Sequence, residues 1–380
     1  MAGSMLAHPA MLFWIVLFLL SWLQLLRRPR ALGWSVAAGV AAGMALLTRQ
    51  ATAVAVIAPF VALTTAVAWL QSPRLERRRL LDNLVRRGAL LVAAALPFLL
   101  LLFYNQAVLT GDPFTDPRWL ARPWDRPGFG PEVGEPQNSF LLNATENGPL
   151  VTWFYDPTLP PRGHSLARGL YNTEQNWRAL DLHLFGWPPL FTLSFIWLFL
   201  LLARPAWPDW ILLAVIGGVV AVYVAFWASG IMYGPRYYYV TLPAFLLLTA
   251  RGVQAAAAWF GGRRGRWTVA LLLALLIAYS VTAVLPRFVS IYRGYNFVSG
   301  TYQETVAAAV DGQALVFIAP ETGDWWEYGR FFSANTPWLD SRIIYARDRG
   351  WEANRRLQRI YPDRPAYVWE EGRLIPLPPL

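Results

Sequence analysis

Cysteine is absent from all 380 residues. That excludes disulfides, thiolate nucleophiles and cysteine-ligated metal, and thiols therefore say nothing about the compartment. Lysine is absent as well: all 33 basic residues are arginine, which reads as a GC-rich coding bias rather than a mechanism. Histidine is scarce, and the three present show no H-x-x-x-H spacing for a metal. Charge as a whole is thin. Only 15% of residues are charged, against about a quarter in soluble domains, while 56% are hydrophobic, so the composition places the chain in lipid. The net charge of +10 does not imply nucleic acid, because the arginines lie mostly between hydrophobic runs, where they orient a membrane protein.

What the chain has is long apolar runs. Eight stretches of roughly 17–22 residues, each enough for a bilayer core of about 30 Å, fall near 10–26, 32–48, 51–70, 88–105, 184–203, 210–228, 237–254 and 267–285. They predict a polytopic α-helical membrane protein of about eight spans. The third and fourth runs are separated by "QSPRLERRRLLDNLVRR", which reads as an interfacial helix.

Arginines cluster after the first, third, fifth and seventh runs, for example Arg27 and Arg28, Arg77 to Arg79, Arg204, and Arg263 and Arg264. The opposite short connectors hold only Arg49 and Arg236. The positive-inside rule then makes the arginine-rich side cytoplasmic. Four regions follow: 1–105 with four spans and basic connectors, an extracytoplasmic loop 106–183, four more spans over 184–286, and a soluble extracytoplasmic domain 287–380. The expected location is the plasma (inner) membrane. The start, "MAGSMLAHPAMLFW", lacks a basic n-region and is unlike a signal peptide, so the chain reads as one missing an N-terminal part.

The tail reads as a small α/β unit. Thr301 and Glu304 have capping-box spacing before a helix that Gly312 can stop. "ALVFIAP" has a buried-strand pattern, and "RIIYARD" and "AYVWE" resemble further strands. In "WEANRRLQRIY", Trp351, Leu357 and Ile360 share one helical face and Arg355, Arg356 and Arg359 the other. No phosphate-binding glycine loop occurs in the tail, and no internal repeat is evident.

The runs contain essentially no ionisable residue away from their ends. A mid-membrane charge costs at least about 2.5–3.5 kcal/mol and is kept only for a purpose, so this pattern disfavours an ion-coupled transporter. Polar groups collect instead at the outer ends: His8, Arg49, Tyr104, Asn105, Asp181, His183, Tyr233 and Arg236. Arg236, in "YGPRYYY" with Tyr237, has two readings. Its guanidinium can fork onto a lipid phosphate, or it snorkels to ordinary headgroups within an interfacial tyrosine belt. Arg49 either joins the same phosphate or marks a helix end, and His8 is either a proton carrier or structural. In the loop, Asp112 and Asp116 lie beside aromatics, which suits sugar binding, but "GDP" and "TDP" are also plain turn signals. Asn143-Ala-Thr145 fits a glycosylation acceptor.

Taken in order, "GSMLAHPA", "GVAAGMALLTRQAT", "YNQAVLTGDPF" and "MYGPRYYYVTLPAFLLL", followed by an outer α/β tail, resemble the GT-C membrane glycosyltransferases, family 39 type, related to protein O-mannosyltransferases. The likeness runs over most of residues 1–300. It implies a GT-C-like fold and transfer of a sugar from a polyprenyl-phosphate donor to a lipid, glycan or protein acceptor on the outer face. By the same likeness Arg236 and Arg49 lie near the donor phosphate, with Tyr233, Tyr237, His8, Tyr104 and Asn105 as further substrate-binding candidates. The family's acidic catalytic residue sits in the first outer loop, which falls upstream of Met1, leaving Asp112, Asp116 and Asp181 as the weaker candidates within this chain. No cofactor is assigned, and a divalent metal stays open. The alternative reading is a non-catalytic membrane protein that binds or presents envelope lipids.

Overall fold

The computed structural model describes residues 7–28, 31–134, 140–145, 148–153, 162–231, 234–293, 299–319 and 325–379. The chain divides into two compact units, Met1–Gln137 with Thr158–Leu285, and Asn138–Pro157 with Pro286–Leu380. The outer loop expected over 106–183 is thus shared between them.

The first unit is helical. Its elements are α1 (Ala7–Arg27), α2 (Gly33–Gln71), α3 (Arg77–Thr110) and the short α4 (Arg118–Ala121), then α5 (Leu166–His183), α6 (Phe191–Leu202), α7 (Trp207–Val224), a 3-10 turn (Arg236–Thr241), α8 (Leu242–Trp259) and α9 (Gly262–Tyr279). A π-helical turn, Ser280–Val284, joins α9 to α10 (Leu285–Tyr292). Among the described residues, six helices are long and apolar enough to cross a membrane: α1, α2, α3, α7, α8 with its 3-10 turn, and α9 continued through α10. The chain is therefore a helical membrane protein.

Eight runs were expected and six such helices form, for two reasons. The runs 32–48 and 51–70 both lie in α2, whose 39 residues would span about 58 Å as a straight helix, twice a bilayer core. It is not straight. Arg49 has non-helical angles, φ −159° and ψ 93°, and breaks it. Before the break, Gly39 and Gly43 lie on Leu91 and Phe98 of α3. After it, Thr64 accepts a hydrogen bond from Trp22 of α1 at 2.9 Å, and Ala55 lies against Gly218 of α7. His8, at the start of α1, meets Arg49, and Trp22, farther along, meets Thr64. The second half of α2 consequently runs with α1, while the first half runs back against it. The chain reverses at Arg49, and each half is about one bilayer core long.

The second departure is at 184–203. Here only α6 forms, with 12 residues or about 18 Å, because Pro188 and Pro189 keep the preceding stretch out of a helix. The basic connector 71–87 differs too. From Arg77 onward it is the first part of α3 rather than a separate interfacial helix. Arg87, buried within it, donates to the Leu25 carbonyl at 2.5 Å.

Lipid offers no hydrophobic drive between helices, so close contact of backbones must hold them. Small residues sit at the crossings accordingly. A Cβ at Gly39, Gly218 or Gly252 would overlap a carbonyl of Leu91, Ala55 or Phe195 respectively.

The second unit contains a hairpin of β1 (Phe140–Thr145) and β2 (Gly148–Trp153), which includes the Asn143-Ala-Thr145 acceptor. It continues with α11 (Gly300–Ala309), β3 (Ala314–Ile318), α12 (Trp325–Phe332), β4 (Ile343–Arg347), α13 (Trp351–Ile360), β5 (Ala366–Glu370) and β6 (Arg373–Pro376). The four-stranded sheet has the order β4-β3-β5-β6, with the first three parallel and β6 antiparallel to β5. The three strands read from sequence are all present. Two local expectations are corrected. Ser299, not Thr301, caps α11, because the helix starts at Gly300 and the Ser299 hydroxyl accepts the Thr301 N–H at 3.2 Å. And α13 turns Asn354 and Gln358 inward, leaving Trp351 and Ile360 exposed.

Candidate functional site

The candidate site forms where the break in α2 meets the start of α1, the end of α7 and the 3-10 turn. Gly234, at φ 95°, and Pro235 bend the chain into that turn, which delivers Arg236 and Tyr237. Gly230, at φ 69°, lies so close to the Tyr237 ring that any Cβ there would overlap it. Asn172 and Asn176 of α5 hold the approaching loop by donating to the carbonyls of Trp227 and Ser229, at 2.9 and 2.7 Å.

Tyr237 is the platform. Its buried ring stacks on that of Tyr223, with centroids 4.5 Å apart and planes 9° from parallel. Two guanidinium carbons lie over the same Tyr237 ring, Arg49 at 5.1 Å and Arg236 at 5.3 Å from its centroid. Arg49 is held by neutral groups. One Nη lies 2.5 Å from His8 Nε2, and the other donates to the Tyr223 hydroxyl at 3.2 Å. Thr52, three residues past the break, shares a 2.5 Å hydrogen bond with that hydroxyl. Arginine only donates, so His8 Nε2 must accept and its proton sits on Nδ1. That Nδ1 is buried and has no hydrogen-bond partner in the structure.

Two permanent positive charges thus lie against one aromatic ring. Cation–π attraction offsets part of their repulsion, and an anion between them would offset more. Outside this cluster, the carboxylate of Asp116 binds Arg118 at 2.6 Å.

Four of the residues read from sequence therefore come together: His8, Arg49, Arg236 and Tyr237. Tyr233 lies outside the described residues. Tyr104 and Asn105 are exposed on α3, away from any hydrogen bond or ring contact with the cluster among the described residues. Asp112 belongs to a turn, accepting from the Thr115 hydroxyl at 2.5 Å and the Phe114 N–H at 3.2 Å, and these bonds hold its carboxyl below the usual range. For Asp116 burial opposes ionisation, but the Arg118 hydrogen bonds and charge outweigh it and its pKa is lowered. Asp181 is buried and caps α6, accepting the N–H of Leu190 and, at 3.0 Å, that of Leu193.

Sequence reasoning missed Tyr223, which lies inside an apolar run, and passed over Thr52 at the end of "GVAAGMALLTRQAT". The only signal was a hydroxyl near the end of each run. His183, beside Gly234, has its pKa lowered by burial. No cluster of three His, Asp or Glu side chains that could hold a metal occurs among the described residues. No protein-family model matches the chain, and no curated protein or solved structure matches it either.

Proposed function

We propose that this protein is a membrane glycosyltransferase of GT-C type that takes a polyprenyl-phosphate sugar as donor at the outer face of the plasma membrane. The observation that carries the reading is the pair of guanidiniums, Arg49 and Arg236, over the single Tyr237 ring. Arginine forks match phosphate oxygens, and stacked tyrosines beside them offer an apolar wall for a prenyl chain. In this reading the donor phosphate takes both guanidiniums, the Nδ1–H of His8 supplies a neutral donor, and positive charge stabilises the departing phosphate. The acceptor is a lipid, glycan or protein hydroxyl or amine that a carboxylate activates.

A second reading, a non-catalytic protein that binds or presents envelope lipids, draws on the carboxylates. Asp112 and Asp181 are committed to a turn and a helix cap, so neither is poised as a base. Asp116 remains, paired with Arg118.

The test is binding of undecaprenyl phosphate to the purified chain in nanodiscs. Arg49→Ala and Arg236→Ala should each weaken binding about 10–100-fold, as expected for losing a charge-assisted hydrogen bond of about 1.5–3 kcal/mol. Arg236→Lys should rescue only part, since an ammonium cannot fork. Unchanged affinity in folded variants would leave the arginines as interfacial anchors and sink the reading. Sugar transfer by the chain that Asp116→Asn abolishes would favour the first reading over the second.

A further inference from the structure

The α/β unit carries a second feature that the glycosyl-transfer reading does not use. Strand β4 is one edge of the sheet. Asn335 closes the middle of that edge: its amide donates to the Tyr345 carbonyl and its carbonyl accepts the Tyr345 N–H, both at 2.8 Å. An extended peptide therefore finds no free ladder at Tyr345. Beside the edge lies a cavity of about 460 Å³, with Ile344, Leu357 and Ile360 in its wall and the exposed Arg349 and Arg356 at its margin.

Helix α13 adds an unusual surface. Trp351 is 56% exposed and Ile360 68%, half a helical turn apart around the axis, and Ile360 is the one that continues into the apolar wall of the cavity. Trp338, beside the cavity residue Leu339, is 84% exposed. Arginines surround these groups. Arg355 lies over the Trp351 ring at 4.3 Å, and Arg356 and Arg359 are exposed. Of the nearby acids, Asp348 is taken up by the Gly350 N–H and the Asn354 amide, both at 2.8 Å. Glu352 within the helix and Asp363, three residues past Ile360, are the exposed acids there, against Arg349, Arg356 and Arg359.

Exposed tryptophan and isoleucine among arginines suit one partner above others. Indole rings favour the headgroup level of a bilayer, guanidiniums fork onto phosphates, and basic clusters gather at anionic lipid. We propose that the Ile360 end of α13, with the cavity beside it, is a docking surface for anionic lipid, with Arg356 and Arg359 on headgroup phosphates and Ile360 and the cavity among apolar chains. This surface stands independently of the Arg49 and Arg236 site.

The absence of cysteine makes the test direct. Ile360→Cys, labelled with a polarity-sensitive dye, is reconstituted as the full chain in phosphatidylcholine vesicles with or without phosphatidylglycerol. A label at Asp311→Cys, on the connection between α11 and β3, serves as control. Phosphatidylglycerol should blue-shift the Ile360 label and expose it to quenching by nitroxide lipid, in a salt-sensitive way, and leave the Asp311 label unchanged. Arg356→Ala and Arg359→Ala should each lower the docked-to-free ratio about fivefold, the factor equivalent to about 1 kcal/mol per basic residue at an anionic surface. Both side chains are exposed, so the variants retain the fold. Equal signals in neutral and anionic vesicles would overturn the proposal. So would a signal that follows protein-to-lipid ratio instead of lipid charge, which would assign the face to a second copy of the chain.

Discussion

Tyr223 shows how one hydroxyl organises the site. It lies between Arg49 and Thr52, and its ring carries Tyr237. Tyr223→Phe keeps the stack and removes both hydrogen bonds, leaving the buried Thr52 hydroxyl without that partner. The expected cost is about 1–3 kcal/mol, the range for an unsatisfied buried polar group, seen as a lower Tm in detergent. Undecaprenyl phosphate binding should also fall severalfold, since Arg49 loses one of the two groups that orient it. A wild-type Tm together with wild-type binding would show that the hydroxyl orients nothing. The sequence made Arg49, Arg236 and His8 visible because charged or polar side chains are rare beside apolar runs. Tyr223 and Thr52 stayed hidden because both are acceptable residues at the end of any membrane helix.

The break in α2 belongs to the scale of the element. Neither glycine nor proline occupies the position. Arg49 itself takes the extended conformation, and the hydrogen bonds of its side chain to α1 and α7 hold it there. Direction reversal and site assembly are thereby one event. The start of α6 makes the same point with opposite polarity. Its first N–H groups have no carbonyl of their own helix to reach, and the Asp181 carboxylate of α5 accepts two of them. Asp181→Ala should destabilise the helical unit by about 2 kcal/mol, measured as a Tm shift, and leave undecaprenyl phosphate affinity close to wild type. If Asp181 acted on substrate instead, the variant would keep its Tm and lose activity.

At the scale of the whole molecule, arginine distribution predicts which side each connector faces. Single cysteines at Asp112 and at Asp311 should react with an impermeant thiol reagent added outside cells. A cysteine at Arg78, in the basic segment, should react only after permeabilisation. Outside labelling at Arg78 would reverse the orientation and move the Arg49 and Arg236 site to the cytoplasmic face. The helical membrane class was legible from composition and run length, since burying apolar side chains in lipid depends on neither order nor contacts. The parallel strands of the α/β unit were legible too, because a strand buried on both faces reads as a continuous apolar run, as β3 does.

What the sequence determined by itself was set by transfer free energies and local geometry. Apolar runs cross or approach lipid, prolines end helices, and β-branched and aromatic runs make strands, all within a few residues of the side chains responsible. Tertiary structure decided the rest. It joined two runs in one helical element reversed at Arg49, shortened the fifth run to α6, and left Trp351 and Ile360 of α13 exposed while Leu357 packs inward. It also brought His8, Arg49, Tyr223 and Arg236 onto one aromatic platform from positions as far apart as residues 8 and 237. Such meetings rest on which helices pack together. Small residues such as Gly39, Gly218 and Gly252 permit those crossings, but periodicity along the chain does not reveal the residue on the other side.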